Sequence, residues 1–102
     1  GNIGVKQINW KDRSGEFFVY IGEKEEWGRG YGYEATKLFI DYCFTSLNLH
    51  KVYLRVARYN HSAIKIYQKA GFKKEGLLKE EVFVDGAYHD LIRMAIINSK
   101  KT

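Results

Sequence analysis

Gly28, Gly30 and Gly32 alternate between a run of strand formers and a run of helical periodicity, and this junction constrains the fold more than any other stretch. From Tyr20 to Ala35 the order is strand end, glycine loop, helix start. Glycine has no β-carbon to keep a ligand off the backbone, so such a loop can bare several N–H groups at a helix N-terminus. An anion placed there gains those donors and the positive end of the helix dipole. The spacing predicts an anion site, suited to a diphosphate.

Two familiar phosphate motifs do not fit. The P-loop ends in Gly-Lys-Ser/Thr, and that ending is missing, so triphosphate chemistry loses its lysine and its magnesium-binding hydroxyl. The dinucleotide fingerprint is G-x-G-x-x-G followed by an acidic residue at the end of the next strand. Here the spacing is G-x-G-x-G, and the next strand, Lys51 to Ala57, carries no acid.

The flanking segments predict a mixed α/β domain. Ile3 to Trp10 alternates like a strand, with an irregularity near Gln7, and Lys11 to Gly15 is a polar turn. Glu16 to Gly22 is rich in aromatic and β-branched residues, so the two strands form an antiparallel hairpin. Tyr31, Ala35, Leu38, Phe39, Tyr42, Cys43 and Leu47 recur at helical spacing, and Asn48 suits a left-handed stop. Lys51 to Ala57 is a strand with Val52, Leu54 and Val56 on one face. A strand–helix–strand unit of this length is a crossover between parallel strands. Asn60 caps a second helix, His61 to Ala70, whose inner side is Ala63, Ile64, Tyr67 and Ala70. Gly71 ends it and Phe72 packs back. Gly76 to Leu78 leads into a strand from Lys79 to Val84, Asp85-Gly86 is a hairpin turn, and Tyr88 to Ile97 returns. Phe17, Phe18, Tyr20, Phe83 and Tyr88 are expected mainly in the core or on sheet faces.

The 102 residues fit one small domain, and 45% hydrophobic with 16% aromatic content supplies a core. No apolar run has membrane-spanning length, and no signal peptide is visible, so a membrane partner is not expected. The single cysteine, Cys43, forms no internal disulfide and falls on the apolar helix face; a reducing, cytoplasmic setting is the expectation. The net charge of +5 is scattered over many segments rather than gathered in a stripe, which argues against nucleic acid. His50, His61 and His89 lack metal-ligand spacing, so no metal is expected.

Read together, the glycine loop and Asn60-His61-Ser62-Ala63-Ile64-Lys65-Ile66-Tyr67-Gln68-Lys69-Ala70-Gly71-Phe72 resemble the GCN5-related N-acetyltransferases. That family's pyrophosphate motif is Q/R-x-x-G-x-G/A. Trp27 stands where Gln or Arg is usual, as in the branch of ribosomal-protein and spermidine acetyltransferases, while Gly30 and Gly32 match. The second motif matches in Asn60, Ala63, Tyr67, Lys69, Gly71 and Phe72. The resemblance spans the chain but only the later part of the family fold, so the domain is expected to be N-terminally truncated, without one wall of the acceptor site.

The resemblance implies acetyl-coenzyme A as co-substrate. Trp27, Gly28, Arg29, Gly30, Tyr31, Gly32 and Tyr33 would surround the pyrophosphate, with Arg29 adding charge. Backbone groups of Val19, Tyr20 and Ile21 would pair with the pantetheine arm, and Asn60 and Ala63 would also meet the cofactor. Tyr67 would protonate the departing thiolate, since phenol and thiol have similar acidities. Glu16 is the candidate general base; its bland reading is a solvent-facing carboxylate at a strand end. The oxyanion would meet a backbone N–H near Tyr20 or Ile21. The expected reaction is acetyl transfer to a primary amine, either a small molecule such as a polyamine or a protein N-terminus. The rival is a coenzyme A-binding module without catalysis. Related enzymes also suggest a homodimer through the late strands.

Overall fold

The computed structural model describes residues 2–20 and 31–98. Its elements are β1 (Asn2–Asn9), β2 (Ser14–Tyr20), α1 (Tyr31–Thr45), β3 (Lys51–Ala57), α2 (His61–Ala70), β4 (Lys73–Val84) and β5 (Ala87–Ile97). They build a five-stranded mixed sheet in the order β1-β2-β3-β5-β4. β1 and β2 form the expected antiparallel hairpin, and β2 and β3 are parallel, as the crossover requires. Both helices pack on one sheet face. Phe17 of β2 lies 6.0 Å from Phe39 of α1 and 6.3 Å from Tyr67 of α2, ring centroid to centroid. Val52, Leu54, Val56, Ile92 and Met94 complete the buried layer. No helix among the described residues is long and apolar enough to cross a membrane.

Local chemistry accounts for most boundaries. Gln7 takes a φ of 51°, and the β1–β2 register shifts between Lys6 and Asn9, which is the irregularity the alternation suggested. Asn48 takes a φ of 58°, and the Leu49 N–H turns back to the Cys43 carbonyl at 2.9 Å, closing the end of α1. Asn60 Oδ1 accepts from the Ala63 N–H at 3.3 Å, capping α2. At the other end Gly71 sits at a φ of 114° and its N–H bonds the Gln68 carbonyl, while the Phe72 N–H bonds that of Tyr67. All four expected inner residues of α2 are buried. Asp85 and Gly86 both have positive φ, the pairing a two-residue hairpin turn needs.

Two expectations need correction. The buried stripe of α1 is Gly32, Thr36, Ile40 and Cys43, whereas Ala35, Leu38 and Tyr42 are exposed, Leu38 at 72%. Small residues, not the largest ones, let this helix lie close to its neighbours. β4 begins at Lys73, six positions before Lys79, because it pairs with β5 through two register shifts that hide its alternation. Phe83 and Tyr88, registered opposite each other, lie on a sheet face as expected, exposed and edge-on at 5.0 Å near the hairpin tip.

The feature that positions the site is a divergence inside the sheet. β3 follows β5 through seven registered pairs, from Lys51–Ile97 to Ala57–Leu91. β2 stays with β1 as far as Tyr20. β2 and β3 share only Ser14–Lys51, Gly15–Val52 and Glu16–Tyr53. At the start of this pairing the strands are tied together, since the His50 N–H donates to the Arg13 carbonyl at 2.7 Å and Arg13 Nε donates to the Asn48 carbonyl at 3.0 Å. Beyond Glu16 the strands part.

Candidate active site

Where β2 and β3 part, a cavity of about 240 Å³ opens through the sheet. Phe17, Val19, Leu54 and Tyr67 line it from the helix-covered face. Lys6, Glu16, Phe18 and Arg55 line it from the opposite face, with Val82 and Leu91 closing it from the far hairpin. A strand that loses its neighbour leaves backbone N–H and C=O groups without ladder partners, and buried groups of that kind need a partner. The register of β2 with β3 ends at Glu16, so Val19 and Tyr20 have no ladder partner on β3. An extended chain bearing amide groups can pair there as an added strand does.

Two groups with acid–base capacity meet in this cavity. Glu16 is only 5% exposed, although it stands on a strand two residues from its start. Its Oε2 accepts from Arg55 Nε at 2.8 Å, and that hydrogen bond holds the guanidinium more firmly protonated than usual. The solvent-facing alternative for Glu16 is therefore wrong: the side chain is drawn inward by a cation on the next strand, which offsets the cost of burying a charge. Tyr67 is 7% exposed, packed edge-on against Phe17 and Phe72. Burial pushes its phenol up to about 12. It stays protonated across the working pH range, ready to donate. The same environment would raise the pKa of a thiol, as burial does for Cys43, which reaches about 11.

Other site expectations are distributed as follows. Ile21, Trp27, Gly28, Arg29 and Gly30 lie outside the described residues, as does Gly22 at the expected strand end. The backbone of Tyr20 ends β2, at the open side of the divergence. Tyr31, Gly32 and Tyr33 form the first turn of α1, the end whose N–H groups have no partner within the helix. Lys69 Nζ lies 4.6 Å from the centre of the Tyr33 ring, bringing a cation to that turn. Asn60 is exposed and spends its Oδ1 on the Ala63 N–H and the Ser62 hydroxyl, the latter at 3.3 Å. Ala63 is buried, with its N–H committed to that cap. No group of three or more potential metal ligands occurs among the described residues.

A second cavity, about 400 Å³, is lined by Arg58, Tyr59, His61, Tyr88, His89 and Asp90. It gathers none of the expected site residues. Asp90 is held below the usual carboxylate range by the Glu80 N–H at 2.8 Å and by Arg58 at 3.0 Å, so its oxygens are already engaged.

An open slot between parallel strands, with a buried carboxylate and a buried phenol, agrees with the match of residues 1–73 to the family model described as Acetyltransferase (GNAT) domain. The chain belongs to the GNAT family. It is 42% identical over 100 residues to the spermidine N(1)-acetyltransferase of Vibrio cholerae, a match covering 98% of this chain and 57% of that protein. It is 44% identical over 96 residues to the Escherichia coli K12 spermidine N(1)-acetyltransferase, covering 94% and 51%. The crystal structure of the Vibrio cholerae spermidine N-acetyltransferase in complex with CoA and spermine superposes with a TM-score of 0.89 at 43% identity, covering 96% of this chain and 57% of that one. The chain thus spans about half the length of the curated relatives it matches.

Within this GNAT chain the fold brings Glu16, Val19 and Tyr67 together as the sequence suggested. Sequence reasoning missed Arg55, Lys6, Phe18, Val82 and Leu91. Arg55 alone left a trace, as a charge on the solvent-side phase of β3 whose partner lies 39 positions earlier. The hydrophobic members carry no signal that separates them from ordinary strand residues.

Proposed function

We propose that this chain is the acetyl-coenzyme A-binding part of an N-acetyltransferase that acetylates a primary amine, with polyamines as the favoured acceptor class. The observation that carries this reading is the cavity at the β2–β3 divergence, where Glu16 and Tyr67 share one slot. Spermidine acetyltransferase relatives at 42–44% identity support the polyamine class over a protein N-terminus.

The residues present suit the co-substrate, because β2 offers a strand edge without a β3 partner at Val19 and Tyr20. Bound there, acetyl-coenzyme A would supply an activated acetyl thioester. Glu16 accepts the proton that the attacking amine must lose. A backbone N–H near Tyr20 or Ile21 meets developing negative charge on the carbonyl oxygen. Tyr67 gives its phenolic proton to the departing sulfur. The glycine loop and the first turn of α1 hold the diphosphate, with Arg29 as the added charge. No covalent enzyme intermediate is required.

Two further elements belong to this reading. A homodimer is supported by the exposed Phe83–Tyr88 pair, an apolar patch that a second copy would cover. A cytoplasmic setting is supported by Cys43, a free and buried thiol. Calorimetry with acetyl-coenzyme A, followed by thiol release with a panel of amines, tests the proposal. Micromolar binding with turnover on spermidine supports it. Binding without turnover on any amine, in the full-length protein, favours the non-catalytic module, and no binding refutes both.

A further inference from the structure

The sheet face opposite the helices carries a set of ion pairs that surrounds the cavity. Arg55 stands directly across the β3–β5 ladder from Arg93, a like-charge juxtaposition that costs energy unless each cation has its own anion. Arg93 has one: its Nε reaches Glu75 Oε1 at 2.7 Å, and its guanidinium lies 3.8 Å from the Tyr53 ring centre. Arg55 takes Glu16 instead, at 2.8 Å, with Glu81 at the outer end of the guanidinium at 3.9 Å. The Arg55 side chain is 38% exposed and that of Glu16 is 6% exposed, so the pair runs from solvent into the cavity.

We infer that Arg55 is a positioning residue for acetyl transfer: it fixes Glu16 by one oxygen and compensates its charge, leaving the other oxygen for the amine. This rests on the reading of Glu16 as proton acceptor. The planar guanidinium sets the direction of the carboxylate as a rotating ammonium cannot. Without Arg55 the buried carboxylate would face Tyr53 from β3, Tyr67 from α2, Glu81 from β4 and Lys6 from β1. Lys6 is its registered neighbour, but its Nζ lies over the Phe18 ring, 5.7 Å from the centre. An uncompensated buried carboxylate takes up a proton more readily and ceases to act as a base.

The test is a pH profile of kcat/KM for the full-length protein with acetyl-coenzyme A and spermidine, on Glu16→Gln, Arg55→Lys, Arg55→Met and the double variant Glu16→Gln/Arg55→Met. Arg55→Met is expected to lower kcat by about 10–100-fold, with KM for acetyl-coenzyme A within about twofold, and to move the acidic limb to higher pH. Arg55→Lys keeps the charge but loses the fixed direction of the Nε–H donor, so the limb returns toward its original position while kcat recovers only in part. In the Glu16→Gln background, Arg55→Met adds no further loss, because its partner is already gone. The double variant buries no unpaired carboxylate and keeps the test open if Arg55→Met fails to fold. An unmoved acidic limb, or additive losses in the double variant, overturns the role of Arg55. Full activity in Glu16→Gln overturns the reading of Glu16 itself, and with it this inference.

Discussion

Replacing Tyr67 with phenylalanine separates the chemistry of this site from its packing. The ring is buried and packs edge-on against Phe17 at 6.3 Å and Phe72 at 5.9 Å, and phenylalanine keeps those contacts. Only the hydroxyl is lost, a change of about 0.5–1.5 kcal/mol in stability at most. Truncation to alanine, by contrast, would cost about 3–5 kcal/mol. As a general acid the hydroxyl is expected to contribute about 100–10,000-fold to kcat. Tyr67→Phe should therefore fold normally, bind acetyl-coenzyme A with near-native affinity, and turn over at least about 100-fold more slowly. Alkaline unfolding gives a second readout. The folded phenol titrates near 12 rather than 10. Above pH 10 the unfolded chain loses this proton while the folded chain keeps it, so stability falls as pH rises from 10 to about 12. At about 1.4 kcal/mol per pH unit the loss approaches about 3 kcal/mol. Tyr67→Phe removes that loss. Urea unfolding at pH 8 and pH 11, with steady-state thiol release, measures both effects. A variant with kcat within twofold of the parent would refute the acid role, and an unchanged alkaline slope would refute the burial argument.

Three further outcomes follow from local geometry. Asn60→Ala removes the cap on the Ala63 N–H and is expected to cost about 1 kcal/mol, a fall of about 4–8 °C in Tm, while Asn60→Asp stays near the parent. Gly71→Ala combines a φ of 114° with a β-carbon 2.9 Å from Ile96 Cδ1, so about 2 kcal/mol should be lost; Gly86→Ala, at a φ of 80° with no atom within 4 Å, should lose about 1 kcal/mol. Cys43 is fully buried and its thiol is pushed up to about 11, so a disulfide reagent at pH 8 should leave it unmodified until denaturant is added; rapid labelling of the folded chain would contradict its place in the core.

The parts of the fold that were legible are those coded by adjacent residues. Asn60, the apolar period of α2 and Gly71 agree with one another, so that helix was read with its inner face intact. Asp85-Gly86 marked its hairpin turn by the same local logic. The periodicity of α1 marks its place but not its inner face, because Leu38 and Tyr42 are apolar yet exposed, while Thr36 and Gly32 are small enough to be buried. The alternation predicts too short a β4, because its register shifts and the positive φ of Glu80 break the two-residue period. The β2–β3 divergence belongs to no residue. It arises because each strand is registered with a different neighbour, which sequence periodicity does not carry. For the same reason Glu16 was located as a candidate, but its burial and its Arg55 partner were not.

The slot between β2 and β3 is proposed to receive the acetyl thioester. Backbone amide chemical shifts, followed while acetyl-coenzyme A is titrated into the protein, test it most directly. The largest changes are expected at Val19, Tyr20, Leu54 and Tyr67, along the divergence, together with the first turn of α1. Changes confined to the cavity of Arg58, Tyr59 and Asp90, or no changes at all, would contradict it.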